Sequence, residues 1–343
     1  VELIQVEYEE LPALFDPLVA MRPGTILIHE ALGSYEYEPI FSPCPGTNIA
    51  NHAKIRRGDL DQGFRESDEV FEDVFTTQYV QHAPLEPHAA IAQIAGNGRV
   101  IIWTNTQAPY NIQRDMAHAL KLPQSQVRVI GTPPGGGFGS KLYARLEPLV
   151  IALAMHTEGK PVKITYTREE EFNACVTKHP THLTFKTGIK RDGTLVARKI
   201  TAVFNTGGYA DTGPLVSRNG CVSGTGPYRI PHVWVDSYCV YTNSPLGGAF
   251  RGYGVPQLSW AHESQMDMMA HRLGIDPLEL RLRNLFEVGD TTCTGEVLRQ
   301  SVGVRETLAR AVEVSGFGRP APPLERPNVV RGQGLSTVHK LTY

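Results

Sequence analysis

The sequence predicts an α+β fold in which mixed sheets pack against helices. Three observations carry that expectation. Apolar runs of helical period and of alternating period take turns through the first half of the chain. Two β-runs then flank Asp192-Gly193, a hairpin signal. No segment recurs at the spacing of a solenoid or propeller unit. With 343 residues the chain has room for roughly two domains. A hydrophobic content of 41% against 20% charged residues suffices for a core without disulfide staples.

Each element follows from local chemistry. Residues 1–8 read as a strand, and 29–58, rich in Pro, Gly, Ser and Asn, as a long surface connection. A short helical turn then runs into a strand at 69–80, and "RVIIWTNTQ" (99–107) is a second strand. Residues 109–123 form a helix: Pro109 suits its first turn, Ile112, Met116, Ala119 and Leu120 make the apolar stripe, and Pro123 stops it. "QVRVIG" (126–131) is a strand, 145–159 a mostly apolar helix ending at Gly159, and "PVKITYTR" (161–168) a strand. Thr167 and Glu170 spell a capping box.

From 182 the pattern turns to longer β-runs, then "HVWVDSYCVYTN" (232–243). A helix follows, with Met266, Met269, Ala270 and Leu273 on its buried face. The Met266, Met268 and Met269 cluster is read as core packing. The next helix opens with Asp276 as cap, Pro277 first and Glu279 three residues after the cap. These shifts divide the chain at 1–68, 69–180 and 181–343. Both ends break off in mid-pattern, as in a piece of a longer polypeptide or one subunit of a split one.

The net charge of −2 gives no nucleic-acid footprint. No apolar run approaches the ~18 residues of a membrane span, and the N-terminus lacks the basic-then-apolar order of a signal peptide. Five scattered cysteines, none in C-x-x-C, point to reduced thiols in the cytoplasm and exclude clustered iron–sulfur or zinc spacings. His82, His88 and His118 lie on different elements and read as structural residues, not a zinc site.

The chemistry concentrates in two glycine-rich stretches. "GTPPGGGFGSKL" (131–142) lies between a strand and a helix, as phosphate loops do. Its spelling differs: Ser140 separates Gly139 from Lys141, and the following strand carries no acid for a ribose. A tight turn or a backbone N–H surface for another ligand remain. The second stretch, "GGAFRGYG" (247–254), places Arg251 between Phe250 and Tyr253. That setting predicts partial burial and an anionic partner for the guanidinium.

"TQAPY" (106–110), "GGGFGSK" (135–141), "AFRGYGVPQ" (249–257) and "DPLELRLRNL" (276–285) occur in this order. So arranged, the chain resembles the molybdenum-binding large chains of the xanthine dehydrogenase/aldehyde oxidase family. It is most similar to nicotinate-dehydrogenase-like and xanthine-dehydrogenase-like bacterial large chains. "QHAPLEPHAAIA" (81–92) and Val302–Val304 also look like family segments.

The resemblance implies that 69–180 and 181–343 are two molybdopterin-binding subdomains and that 1–68 ends a preceding α/β domain. It implies a molybdenum–molybdopterin cofactor, in bacterial relatives generally the cytosine dinucleotide form, held with no protein side chain as direct metal ligand. FAD and [2Fe-2S] centres would lie on partner chains, and the C-terminal half of the molybdenum chain would be a further partner. The activity implied is hydroxylation of an N-heterocycle, or oxidation of an aldehyde, with oxygen from water.

By the same likeness Gln107 would sit near the metal's oxo ligand. Gly136, Gly137, Phe138 and Gly139 would line the metal and dithiolene, with the Phe138 N–H facing a metal ligand. Arg251, with Gly252, would bind the pterin, and Tyr253 would lie against a flat substrate. Fixed N–H dipoles there would stabilise negative charge building on the metal.

Two departures stand out. Leu142 occupies the position where purine-oxidising members carry an acid. The family's general-base glutamate lies far toward the C-terminal end of such chains, beyond the last residue here, and neither Glu86 nor Glu147 is assigned its role. Glu86 is read as a structural or cofactor-shell acid. Two other readings compete: a non-catalytic fragment or scaffold without the cofactor, and the carbon monoxide dehydrogenase branch. That branch places a cysteine in the loop matching 249–254, and this loop has none.

Overall fold

The structure, a computed structural model, describes residues 4–319 and 328–340. In chain order the elements are α1 (Pro17–Ala20), β1 (Ile49–Arg57), α2 (Leu60–Glu66), β2 (Glu69–Thr77), β3 (Val80–Gln81), β4 (Ala89–Ile94) and β5 (Val100–Thr104). Then come α3 (Pro109–Ala119), β6 (Val127–Gly131), α4 (Glu147–Ala154), β7 (Val162–Thr165), α5 (Arg168–Ala174) and β8 (Thr177–Lys178). The remainder is β9 (Thr181–Ile189), β10 (Leu195–Gly207), α6 (Gly213–Ser223), β11 (His232–Tyr241), β12 (Gly247–Gly248), α7 (Val255–Leu273), α8 (Pro277–Asn284) and α9 (Val304–Ser315).

Two cores organise these elements. The larger lies on a five-stranded sheet of order β1-β11-β10-β9-β2. β9 and β10 form the antiparallel hairpin expected around Asp192-Gly193, while β10 and β11 run parallel, joined by the crossover helix α6. Ile200, Ala202 and Phe204 of β10 point to one face. There they meet Val216 and Cys221 of α6, Leu258, Met266 and Met269 of α7, and Leu280 of α8. Val203, on the opposite face, packs with Ala20 of α1. The smaller core sits between α3, α4 and a four-stranded sheet of order β6-β5-β4-β7. It is filled by Ile102, Ile112, Met116, Val127, Val150 and Ile151.

A third sheet, β12-β8-β3, has two-residue strands and joins the two bodies. It places Gln81, Thr177 and Gly247 side by side, with β3 and β12 running in opposite directions on either side of β8, so that the stretches following them, from His82 and from Ala249, start close to one another in space.

The capping box forms, with Thr167 accepting from the Glu170 N–H and the Glu170 carboxylate accepting from the Thr167 N–H. Asp276 caps α8 through the N–H groups of Leu278 and Glu279. The motif "DPLELRLRNL" serves the core: Arg281 is fully buried and donates to Glu263 Oε2 at 2.9 Å and Asp267 Oδ1 at 2.8 Å. Glu263 also accepts from Tyr228 Oη at 2.5 Å and from the Thr337 N–H at 2.9 Å. Burial opposes ionisation of Glu263, but the bonds and charges of His262, Arg281 and Tyr228 overcome it and lower the carboxyl to about 2.

Three expectations change. Residues 4–8 alternate like a strand but pair with nothing among the described residues and are exposed, while 1–3 lie outside them. The composition of 29–58 conceals β1, whose edge position, paired with β11 alone, tolerates the exposed Lys54 and Arg56, while buried Asn51 accepts from the Ser42 N–H and donates to the Pro214 carbonyl. Helix α6 is not foreseen by the sequence: "GPLVSRNGCVS" lacks a strong apolar stripe because most of its faces are buried. Strands from 1–68, 69–180 and 181–343 all enter the five-stranded sheet.

Candidate functional site

The two glycine-rich stretches, more than a hundred residues apart in sequence, touch. The Arg251 N–H donates to the Phe138 carbonyl at 2.9 Å. Gly139 has φ +113°, a conformation that L side chains rarely adopt, and a Cβ built there would fall 2.2 Å from the Ala249 carbonyl oxygen. His82 Nε2 donates to that same carbonyl at 2.7 Å. Thus two of the sequence-expected stretches are brought together, and a histidine set aside as unrelated holds one of them.

Gln107 completes the junction. Its Oε1 accepts from the Gly139 N–H at 2.9 Å and the Lys141 N–H at 3.3 Å, leaving its Nε2 as an outward donor. Its own N–H donates to the Lys141 carbonyl at 2.8 Å. A Cβ on Gly137 would lie 2.4 Å from Gln107 Oε1, so this glycine makes room for the amide. At least part of the glycine content therefore serves protein–protein packing within the loop.

What the loop presents is main-chain donors. The N–H groups of Gly136, Gly137 and Phe138 find no acceptor among the described residues, although Gly137 is buried. Phe138 itself has φ +54° and is 43% exposed. The Arg251 guanidinium stands 5.3 Å from the centre of that ring.

Arg251 departs from expectation: it is exposed and makes no ion pair with any described residue, because the glycines around it turn it away from the core. Gly252 packs against Pro256. Tyr253 has φ +55°, leans on the larger core, and its carbonyl accepts from Asn219 Nδ2 at 2.6 Å. Leu142 is half-buried.

The carboxylates nearest this loop are all engaged. Glu86 Oε2 accepts from the Gly135 N–H at 2.6 Å and from Lys141 Nζ at 3.0 Å. Burial alone would raise its carboxyl, and these bonds hold it below the ordinary carboxylate range. Glu147 accepts from Thr104 Oγ1 at 2.7 Å and the Arg145 N–H at 2.8 Å. Glu171 accepts from both the main-chain N–H and Nδ1 of His88. His88, Glu171 and Cys175 are the one cluster of metal-ligand types among the described residues. They bond to one another in a closed, buried arrangement, and His118 stands apart on α3. All five cysteines are free; burial pushes the Cys175, Cys221 and Cys239 thiols up to about 12.

Comparison with known proteins agrees with this arrangement. Residues 41–285 match the molybdopterin cofactor-binding domain family, and the chain belongs to it. It is 38% identical over 320 residues to the nicotinate dehydrogenase large molybdopterin subunit of Eubacterium barkeri, covering 92% of this chain and 72% of that subunit. It is 33% identical over 315 residues to the xanthine dehydrogenase molybdenum-binding subunit of Escherichia coli O157:H7, covering 91% of this chain and 40% of that one. Among solved structures, the aldehyde oxidoreductase from Desulfovibrio gigas superposes with a TM-score of 0.80 at 29% identity, over 93% of this chain and 34% of that one. The chain thus spans most of one relative and well under half of the others. No helix among the described residues is long and apolar enough to cross a membrane.

Proposed function

We propose that this chain is the molybdopterin-binding part of a molybdenum hydroxylase that oxidises an N-heterocycle or an aldehyde. The observation that carries the reading is the row of acceptor-free N–H groups at Gly136, Gly137 and Phe138, flanked by Gln107 Nε2 and Arg251. Such a donor surface fits an electron-rich metal and pterin unit. Bound there, molybdenum–molybdopterin supplies two-electron redox chemistry.

The protein's part is orientation and charge stabilisation. Gln107, its carbonyl locked by two N–H groups, offers its NH2 at a fixed angle. The Phe138 N–H and its neighbours offer dipoles that need no reorganisation when charge develops. Arg251, exposed beside the Phe138 ring and in no ion pair with a described residue, is assigned to the pterin, and Tyr253 to the flat face of a substrate ring. The general base is assigned to a residue outside this chain, since Glu86, Glu147 and Glu171 are all committed to local bonds. The cytosine dinucleotide form, FAD and [2Fe-2S] centres on partner chains, and a cytoplasmic setting complete the proposal.

The test is molybdenum and pterin content of the chain purified from its own host with its associated subunits. Stoichiometric metal and pterin are expected; neither in an active complex overturns the reading. The 343 residues alone should show no steady turnover of a heterocycle or aldehyde.

A further inference from the structure

Lys141 closes the glycine loop, yet its side chain is almost wholly buried, 1% exposed. Its Nζ runs back to Glu86, donating to the main-chain carbonyl at 2.8 Å and to Oε2 at 3.0 Å. Glu86 also grips the other end of the loop. Its Oε2 accepts from the Gly135 N–H at 2.6 Å, and its own N–H donates to the Gly135 carbonyl at 3.2 Å. Residues 135 and 141 are therefore tied at one point, while Gln107 Oε1 holds the middle through Gly139. The amides at 136–138 stay free of internal acceptors among the described residues.

We infer that Lys141 is a positioning residue: through Glu86 it fixes the direction in which the amides of Gly136, Gly137 and Phe138 point. The inference rests on the proposed function for what those amides face. A buried ammonium is a poor choice for packing alone, since an apolar side chain of similar length fills such a space without desolvating a charge. The ammonium does what methionine cannot. It holds a main-chain carbonyl and a carboxylate together, and the carboxylate in turn orients the first amide of the loop. Nζ is covered by Glu86 and so does not reach a ligand itself.

The test compares Lys141→Met with the double variant Glu86→Gln/Lys141→Met in the enzyme assembled with its associated subunits. In Lys141→Met, amide exchange of the 135–142 segment should speed up. Molybdenum occupancy should fall, with affinity weakened about tenfold, the effect expected when a group supporting a metal site is lost. The midpoint potential of the remaining metal should move negative, because misaligned dipoles stabilise the reduced centre less. The double variant leaves no unpaired charge; it should regain the thermal midpoint but neither the occupancy nor the potential. Unchanged exchange, full metal and an unshifted potential in Lys141→Met overturn the inference. So does a double variant that recovers occupancy along with stability, which would make the pair a matter of charge balance. If Lys141→Met does not fold, the double variant decides. A parent enzyme without molybdenum or pterin overturns the proposed function instead, and the exchange measurement still judges the latch.

Discussion

Gly139 and Ala249 meet main chain to main chain: a Cβ on Gly139 would stand 2.2 Å from the Ala249 carbonyl oxygen. The carbonyl cannot retreat, because His82 Nε2 binds it at 2.7 Å. Gly139→Ala combines this collision with a positive φ. It should cost about 2–4 kcal/mol in denaturant unfolding and separate the loops enough to deplete metal. A variant within about 0.5 kcal/mol of the parent would mean the contact is looser than the geometry states.

Gly137→Ala tests a different neighbour. The new methyl would meet Gln107 Oε1 at 2.4 Å and displace an amide that anchors Gly139 and Lys141. A loss of about 1–3 kcal/mol is expected, together with low molybdenum content. Adding Gln107→Ala removes the obstacle. The double variant should recover the part of the thermal midpoint lost to the collision, though not the bonds to the Gly139 and Lys141 N–H groups, and should not recover turnover, since the amide donor is gone. Equal recovery of both would deny Gln107 any part in the chemistry.

Acid should loosen the Arg251 stretch through His179. This ring is wholly buried beneath β12, where a Cβ on Gly247 would strike it. Burial lowers its pKa from 6.5 to about 4, against smaller opposing effects of Asp211 and a Gly248 hydrogen bond. Above pH 6.5 the ring is neutral folded or unfolded, so nothing is lost. As pH falls from there toward 4, the unfolded chain takes up a proton that the native one refuses. Stability should then drop by about 3 kcal/mol in all. Urea midpoints across this range, compared with His179→Gln, measure it. An equal acid loss in the variant would assign the effect to another group.

The motif around Arg281 predicts a stability defect separable from the site. Arg281→Met strips the buried Glu263 carboxylate of its guanidinium. About 3–5 kcal/mol should be lost. Molybdenum per folded chain should stay near that of the parent, as Arg281 belongs to the larger core. Selective metal loss at unchanged stability would reverse that assignment.

The sequence made the fold class and both glycine stretches readable, because turn residues, caps and hairpin signals act locally. It did not disclose that Phe138 and Arg251 bond to each other, since no local pattern encodes a contact between distant loops. β1 was hidden by loop-like composition, and α6 by burial on most of its faces, which erases the stripe that marks an amphipathic helix. Arg251 was misjudged because flanking aromatics signal burial only when the backbone turns inward, and the glycines turn it outward. Lys141 carried no signal of burial, as a lysine after a glycine loop ordinarily points to solvent or to a phosphate.

The sheet of β3, β8 and β12 has consequences for when the cofactor can enter. Each strand contributes two residues, and the strands come from chain segments far apart, so none of the three can pair early. The smaller core can condense from local contacts, but the larger sheet must first pair β1 with β11 and β2 with β9, which lie far apart in sequence, and this seam joins stretches that flank both. A nascent chain therefore has no cradle until synthesis has passed Gly254 and the bodies have docked. Loading is thus a late event in folding, one that follows the docking of the two bodies.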